Sequence, residues 1–108
     1  MSYVSAHVLD AAAGRPAQGV SVRLESEAGD LLGTATTDAD GRVGDLGPDA
    51  LDSGAYRVVF GSGDYFVRSG TPSFHPEVVV VFRTESEQGH YHIPLLLSPY
   101  SYTTYRGS

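Results

Sequence analysis

With 108 residues the chain is the size of one ordinary domain, long enough for a single hydrophobic core and too short for two. Its 41% hydrophobic and 19% charged residues are those of a soluble globular protein, and no apolar run reaches the roughly 18–20 residues that cross a bilayer, so a membrane-spanning helix is excluded. A net charge of -6 with seven Lys+Arg argues against nucleic acid as a partner, and the absence of cysteine removes disulfides and thiolate chemistry.

The opening MSYVSAHVLDA lacks a basic segment followed by an apolar one, so the sequence reads as that of a cytoplasmic protein. Turn-forming clusters then recur at short intervals, from AAAGRPAQG through DADGR and GPDALDSG to SEQGH at 86–90 and LSP at 97–99. Between them lie runs rich in Val, Tyr, Phe, Thr and Leu, the pattern of an all-β sandwich or barrel. In chain order the predicted strands cover 3–9, 20–26, 31–37, 41–45, 55–61, 76–84, 89–98 and 100–106. One helical turn is predicted over 62–69, with Ser62 or Asp64 as its N-cap. No repeat or linker interrupts the pattern, and the whole of 1–108 is expected to be one domain.

Alternation assigns faces. In YVSAHVL, Val4, Ala6 and Val8 share one face, and Tyr3, Ser5 and His7 the other. In HYHIPLLL, Tyr91, Ile93, Leu95 and Leu97 oppose His90, His92, Pro94 and Leu96. With the apolar sets turned inward, His7 and His92 point outward together with Pro94 and Leu96. An outward leucine and proline on a sheet face call for a cover.

Three features carry chemistry. His90-Tyr91-His92 is an H-x-H that sets two imidazoles on one face of a strand, a spacing able to ligate zinc if a third imidazole such as His7 comes near. Metal-free acid–base work is the more attractive reading, because imidazole titrates near neutrality. Arg42, after the tight turn DADG, is a solvated surface cation unless other groups converge on it. The ending Tyr105-Arg106-Gly107-Ser108 places an aromatic, a cation, a flexible residue and a hydroxyl where chains are ordinarily frayed and polar. There is no G-x-S-x-G elbow, no cysteine and no phosphate-cradling loop, so a hydrolase of this sequence would use water as its nucleophile.

The segments HVLDAAAGRPAQGV, TTDADGR, FHPEVVVVF and HYHIPLLLSPYSYTTYRGS together resemble the transthyretin-like family. The final Y-R-G-S is the most specific mark of its enzymatic branch, the 5-hydroxyisourate hydrolases; the hormone carriers share the opening and LLSPYSYTT and then depart. His75 stands where an aromatic is usual and touches no catalytic position. The resemblance implies a sandwich of two four-stranded antiparallel sheets with one short helix, assembled as a homotetramer, a dimer of dimers. Its outward face would line a cleft between dimers. The implied reaction hydrolyses 5-hydroxyisourate, a product of urate breakdown, to 2-oxo-4-hydroxy-4-carboxy-5-ureidoimidazoline, with no cofactor and no metal. By the same resemblance His7, Arg42, His92 and Ser108 are catalytic, and Tyr105, Arg106 and Gly107 join them in binding substrate. His7 is favoured slightly as the base and His92 as the group that binds water or protonates nitrogen, an order left open; Arg42 would steady the carbonyl, and Ser108 would supply a hydroxyl and carboxylate. The alternative is a carrier that holds a small apolar ligand in the channel between dimers.

Overall fold

The computed structural model describes residues 3–85 and 89–108, so the turn expected at 86–90 falls largely outside the described residues. The order of elements is β1 (Val4–Asp10), β2 (Arg15–Pro16), β3 (Ser21–Ser26), β4 (Leu31–Thr36), β5 (Arg42–Val43), β6 (Gly54–Phe60), α1 (Ser62–Arg68), β7 (Val78–Thr84), β8 (Tyr91–Leu97) and β9 (Tyr102–Thr104). Two sheets face each other across one core. The first has the order β2-β1-β8-β9, with β5 also paired to β1, and the second has the order β4-β3-β6-β7.

Alternation decides what fills the space between them. Val4, Ala6 and Val8 of β1, with Tyr91, Ile93, Leu95 and Leu97 of β8, meet Val22, Leu24, Val58, Phe60 and Val78 of the second sheet in one buried cluster. Side chains such as Leu95 and Val8 are wholly withdrawn from water, each contributing about 1.5–3 kcal/mol by the transfer of its apolar surface. The two central strands of the first sheet are thereby fixed in rotation about their own axes, and their opposite edges of side chains must face out.

Several details differ from the sequence expectation. The two-sheet sandwich with one short helix is present, but the first sheet carries a fifth short strand, and β1 and β8 run parallel, pairing Ser5 with His92 and His7 with Pro94. A parallel pair needs a long crossover, and here the whole of the second sheet intervenes between the two strands. The strands expected over 41–45 and 100–106 contract to β5 and β9, with a separate bridge from His92 to Gly107. Residue Gly61, not Ser62 or Asp64, occupies the N-cap of α1, and no side chain caps that end. A Cβ on Gly61 would stand 2.3 Å from Ser21 Oγ, so a larger residue there would require the Ser21 hydroxyl to turn aside. Pro94, expected outward, is buried; Gly107 lies over it, and Thr104 donates its hydroxyl proton to the Pro94 carbonyl at 2.8 Å. The chain's own tail supplies part of the cover that this face required. Among the described residues no helix is long and apolar enough to cross a membrane.

Candidate active site

Three segments distant in sequence meet on the outer face of the first sheet. β1 offers Ser5 and His7, β5 offers Arg42 directly opposite His7 in the ladder, and β8 offers His92 opposite Ser5. The tail closes the fourth side, where the Gly107 N–H donates to the His92 carbonyl at 2.9 Å and brings Ser108 alongside. The result is an open hollow of about 260 Å³ lined by Ser5, Arg42, Val43, His90, His92 and Ser108. His7 stands beside the hollow, its ring centroid 6.4 Å from that of His92.

The turn before β5 aims two of these groups. The Asp38 carboxylate accepts the backbone N–H of Asp40 and of Arg42, each at 2.9 Å, a local turn built from an Asp side chain. These bonds, the one from Arg42 first, hold the Asp38 carboxyl below the usual carboxylate range, so it stays ionised close to Arg42 and His7. Gly41 completes the turn at φ 75°, and a Cβ there would stand 2.3 Å from the Val8 carbonyl oxygen. Only glycine lets this turn lie flush on β1. The same approach carries the Asp40 carbonyl to 3.0 Å from His7 Nε2. A carbonyl only accepts, so His7 Nε2 carries the proton and Nδ1 holds the lone pair of the neutral ring.

His92 is in a different situation. Its pKa is pushed below the ordinary imidazole value, mainly by burial and then by the charge of Arg42, with His7 and His90 adding to it whenever they are protonated. The ring is neutral at neutral pH. Its Nδ1 lies 2.7 Å from Ser5 Oγ, and the same hydroxyl lies 2.8 Å from His90 Nε2. Ser5 is 8% exposed, and a hydroxyl so placed would cost about 1–3 kcal/mol if unpartnered; the two rings satisfy it. Nε2 of His92 remains for a bound molecule.

Of the residues expected from sequence, Arg42, His92 and Ser108 line one hollow, His7 adjoins it, and Gly107 forms part of its wall by packing on His92. Tyr105 and Arg106 lie elsewhere within the chain: they line a second hollow with Val80, Phe82, Tyr91 and Ile93, where the Arg106 guanidinium sits 4.8 Å from the centre of the Tyr91 ring. Tyr105 is 57% exposed. Sequence reasoning gave no role to Ser5 and set His90 aside. Ser5 was signalled only by sharing the period-two face of His7, and its pairing with β8 is a long-range event that no local pattern carries.

A β-sandwich of two sheets, with an imidazole- and guanidinium-lined hollow on the outer face of one of them, defines a class in which the sheet face carries the site. The chain belongs to the HIUase/Transthyretin family, whose pattern it matches over residues 4–107. It is 46% identical over 109 residues to the 5-hydroxyisourate hydrolase of Salmonella dublin, covering 97% of this chain and 80% of that protein. Its fold is similar to the solved structure of Klebsiella pneumoniae 5-hydroxyisourate hydrolase, with a TM-score of 0.90, 36% identity and coverage of 99% of this chain and 100% of that one. It is also similar to sea bream transthyretin solved in complex with thyroxine, with a TM-score of 0.89, 34% identity and coverage of 97% and 94%. Backbone likeness is nearly equal toward both, so the side chains of the hollow must separate the two functions.

Proposed function

We propose that this protein hydrolyses 5-hydroxyisourate, opening its ring by adding water across a C–N bond. The observation that carries the reading is the convergence of His92, Arg42 and Ser108 on one small polar hollow beside His7. Such a reaction needs a base for water, a cationic or hydrogen-bonding partner for the oxygen that becomes negative, and a proton for the departing nitrogen. His92, neutral by burial and by its cationic neighbours, takes the proton of the attacking water at Nε2. His7, anchored through Nε2–H to the Asp40 carbonyl, presents Nδ1 to orient that water. Arg42 lays its planar fork against the carbonyl oxygen as charge develops there. The Ser108 hydroxyl and Gly107 complete the binding surface within the chain, and the exposed Tyr105 would join it in the assembled protein.

The site lies open on one sheet face, and the single chain covers Pro94 but leaves Leu96 only partly buried. A homotetramer, a dimer of dimers, would close that face and set Tyr105 of each chain near the clefts. The protein then elutes at about four times 11.5 kDa, and an elution volume of a monomer at assay concentration contradicts the composite cleft.

The carrier reading, binding of an apolar ligand without chemistry, is disfavoured by the polar lining of this hollow. Mass spectrometry of the product separates the two. Hydrolysis gives a product heavier than 5-hydroxyisourate by one water, carrying a new carboxylate, in amounts many times the protein; recovery of unaltered ligand at one equivalent per site identifies a carrier.

A further inference from the structure

Ser5 and His90 have no part in the reaction as stated above, yet they form the tightest polar cluster on this face. One hydroxyl stands 2.8 Å from His90 Nε2 and 2.7 Å from His92 Nδ1. A hydroxyl has a single proton, so Ser5 donates to at most one of the rings and at least one ring presents its N–H to the oxygen. The three groups form an unbroken hydrogen-bonded line from the half-buried His92 to the solvent-exposed His90.

We propose that Ser5 joins His90 and His92 into a proton relay that serves the hydrolytic site, with Ser5 as a positioning residue that acts through His92. The inference rests on the hydrolase reading. As water attacks, a C–O bond forms and one water proton passes to His92 Nε2. The His92 Nδ1–H passes to Ser5 Oγ, and the Ser5 hydroxyl proton passes to His90 Nε2, which becomes an imidazolium in contact with solvent. Running the same three bonds backwards returns a proton from His92 Nε2 to the departing nitrogen as the C–N bond breaks, and restores the starting tautomers. The new carboxylic acid loses its own proton to solvent.

The relay answers an electrostatic difficulty. Positive charge on His92 is opposed by burial, by Arg42, by His7 and by any charge on His90, so a base that kept the proton would be a poor one and the two ends of the line do not carry charge together. Passing it to His90 moves the charge out to where water solvates it. The pair then holds one added proton between them.

Three variants test the relay. Ser5→Ala lowers kcat by about 100-fold, the low end for a positioned proton transfer, with KM changed less than about two-fold. Ser5→Thr, which keeps the hydroxyl, recovers most of the rate. His90→Gln, at an exposed position, keeps a hydrogen-bonding side chain that cannot take a proton; its kcat falls similarly, with the melting temperature measured beside it, and is raised by added imidazole in the buffer. Unchanged kcat in His90→Gln overturns the relay, as does loss in Ser5→Thr equal to that in Ser5→Ala. Nitrogen-15 NMR of the imidazoles in the substrate-free protein stands apart from turnover. Titration of His90 and His92 as a coupled pair that becomes independent in Ser5→Ala supports the relay; independent titration in the native protein overturns it. Should the native protein fail to turn over 5-hydroxyisourate while the rings titrate as a pair, the hydrolase reading fails and the coupling stands.

Discussion

Gly107→Ala is a one-methyl probe of whether the tail belongs to the site. A Cβ at residue 107 would stand 2.5 Å from His92 Cδ2, 3.1 Å from His92 Cγ and 3.1 Å from Pro94 Cγ. The first of these distances is far inside van der Waals contact, so either His92 or the tail must shift. β8 is locked by the core through Tyr91, Ile93, Leu95 and Leu97, and forcing extra volume into such a packed region costs about 1–3 kcal/mol. At this point the Gly107 N–H donates to the His92 carbonyl, a bond contributing about 0.5–1.5 kcal/mol, and the neighbouring Arg106 guanidinium lies on the Tyr91 ring. The weaker attachment yields: the tail lifts, Ser108 leaves the hollow, and the Oγ of Ser5 keeps its partners. Misplacement of about 1 Å at a reacting centre costs on the order of 100-fold in rate. The expectation is a kcat about 100-fold down, with the melting temperature lowered by only a few degrees because β9 and the core remain. Stopped-flow decay of 5-hydroxyisourate and thermal melting, measured on the same preparation, give the two numbers. A native rate in Gly107→Ala, with the fold intact, would show that the tail packs on His92 without serving the chemistry.

Removal of either imidazole at the centre, His92→Ala or His7→Ala, lowers kcat by about 100-fold or more with the circular dichroism spectrum unchanged, since both rings lie on the outer face and neither fills the core; full activity in His92→Ala would remove it from the reaction. The neutral form of His92 is the reactive one and its pKa lies below the ordinary 6.5, so the midpoint of the acid limb of kcat/KM falls below pH 6.5. Burial is the larger cause and Arg42 the next, so Arg42→Gln moves the acid limb of the pH profile upward part of the way; a limb at or above 6.5 in the native protein contradicts this assignment. Activity survives exhaustive chelation, because among the described residues no three His, Cys, Asp or Glu side chains are grouped so as to hold a metal ion; loss on chelation with recovery on added zinc would favour the H-x-H metal reading.

What could be read in the sequence follows from the range of each interaction. Strict alternation in Val4–Val8 and Tyr91–Leu97 is written in consecutive residues and needs only the pleat to become two faces, so both core strands and the outward turn of His7 and His92 were legible. The two residues of β2, one of them a proline, carry no periodicity, and β5 is as short. The site itself depends on the parallel pairing of β1 with β8, which sets Ser5 against His92 across 87 positions of sequence. No local pattern encodes that register, and a serine two residues from a histidine is ordinary. Pro94 misled for a related reason: its alternation is correct, but the tail folds back over it. The expectation that His7, Arg42, His92 and the Y-R-G-S tail share one site came from the family resemblance, and of that tail Gly107 and Ser108 reach the hollow within the chain while Tyr105 and Arg106 do not; polarity alone left Arg42 a solvated cation.

The most direct measurement is a progress curve with freshly generated 5-hydroxyisourate in about hundred-fold excess over protein, followed by its ultraviolet absorbance beside a protein-free control. Hydrolysis at this hollow predicts complete consumption of the substrate at a rate proportional to protein concentration, far above the spontaneous decay. A curve that matches the control, or one that departs from it by a single equivalent per chain and then stops, would contradict it.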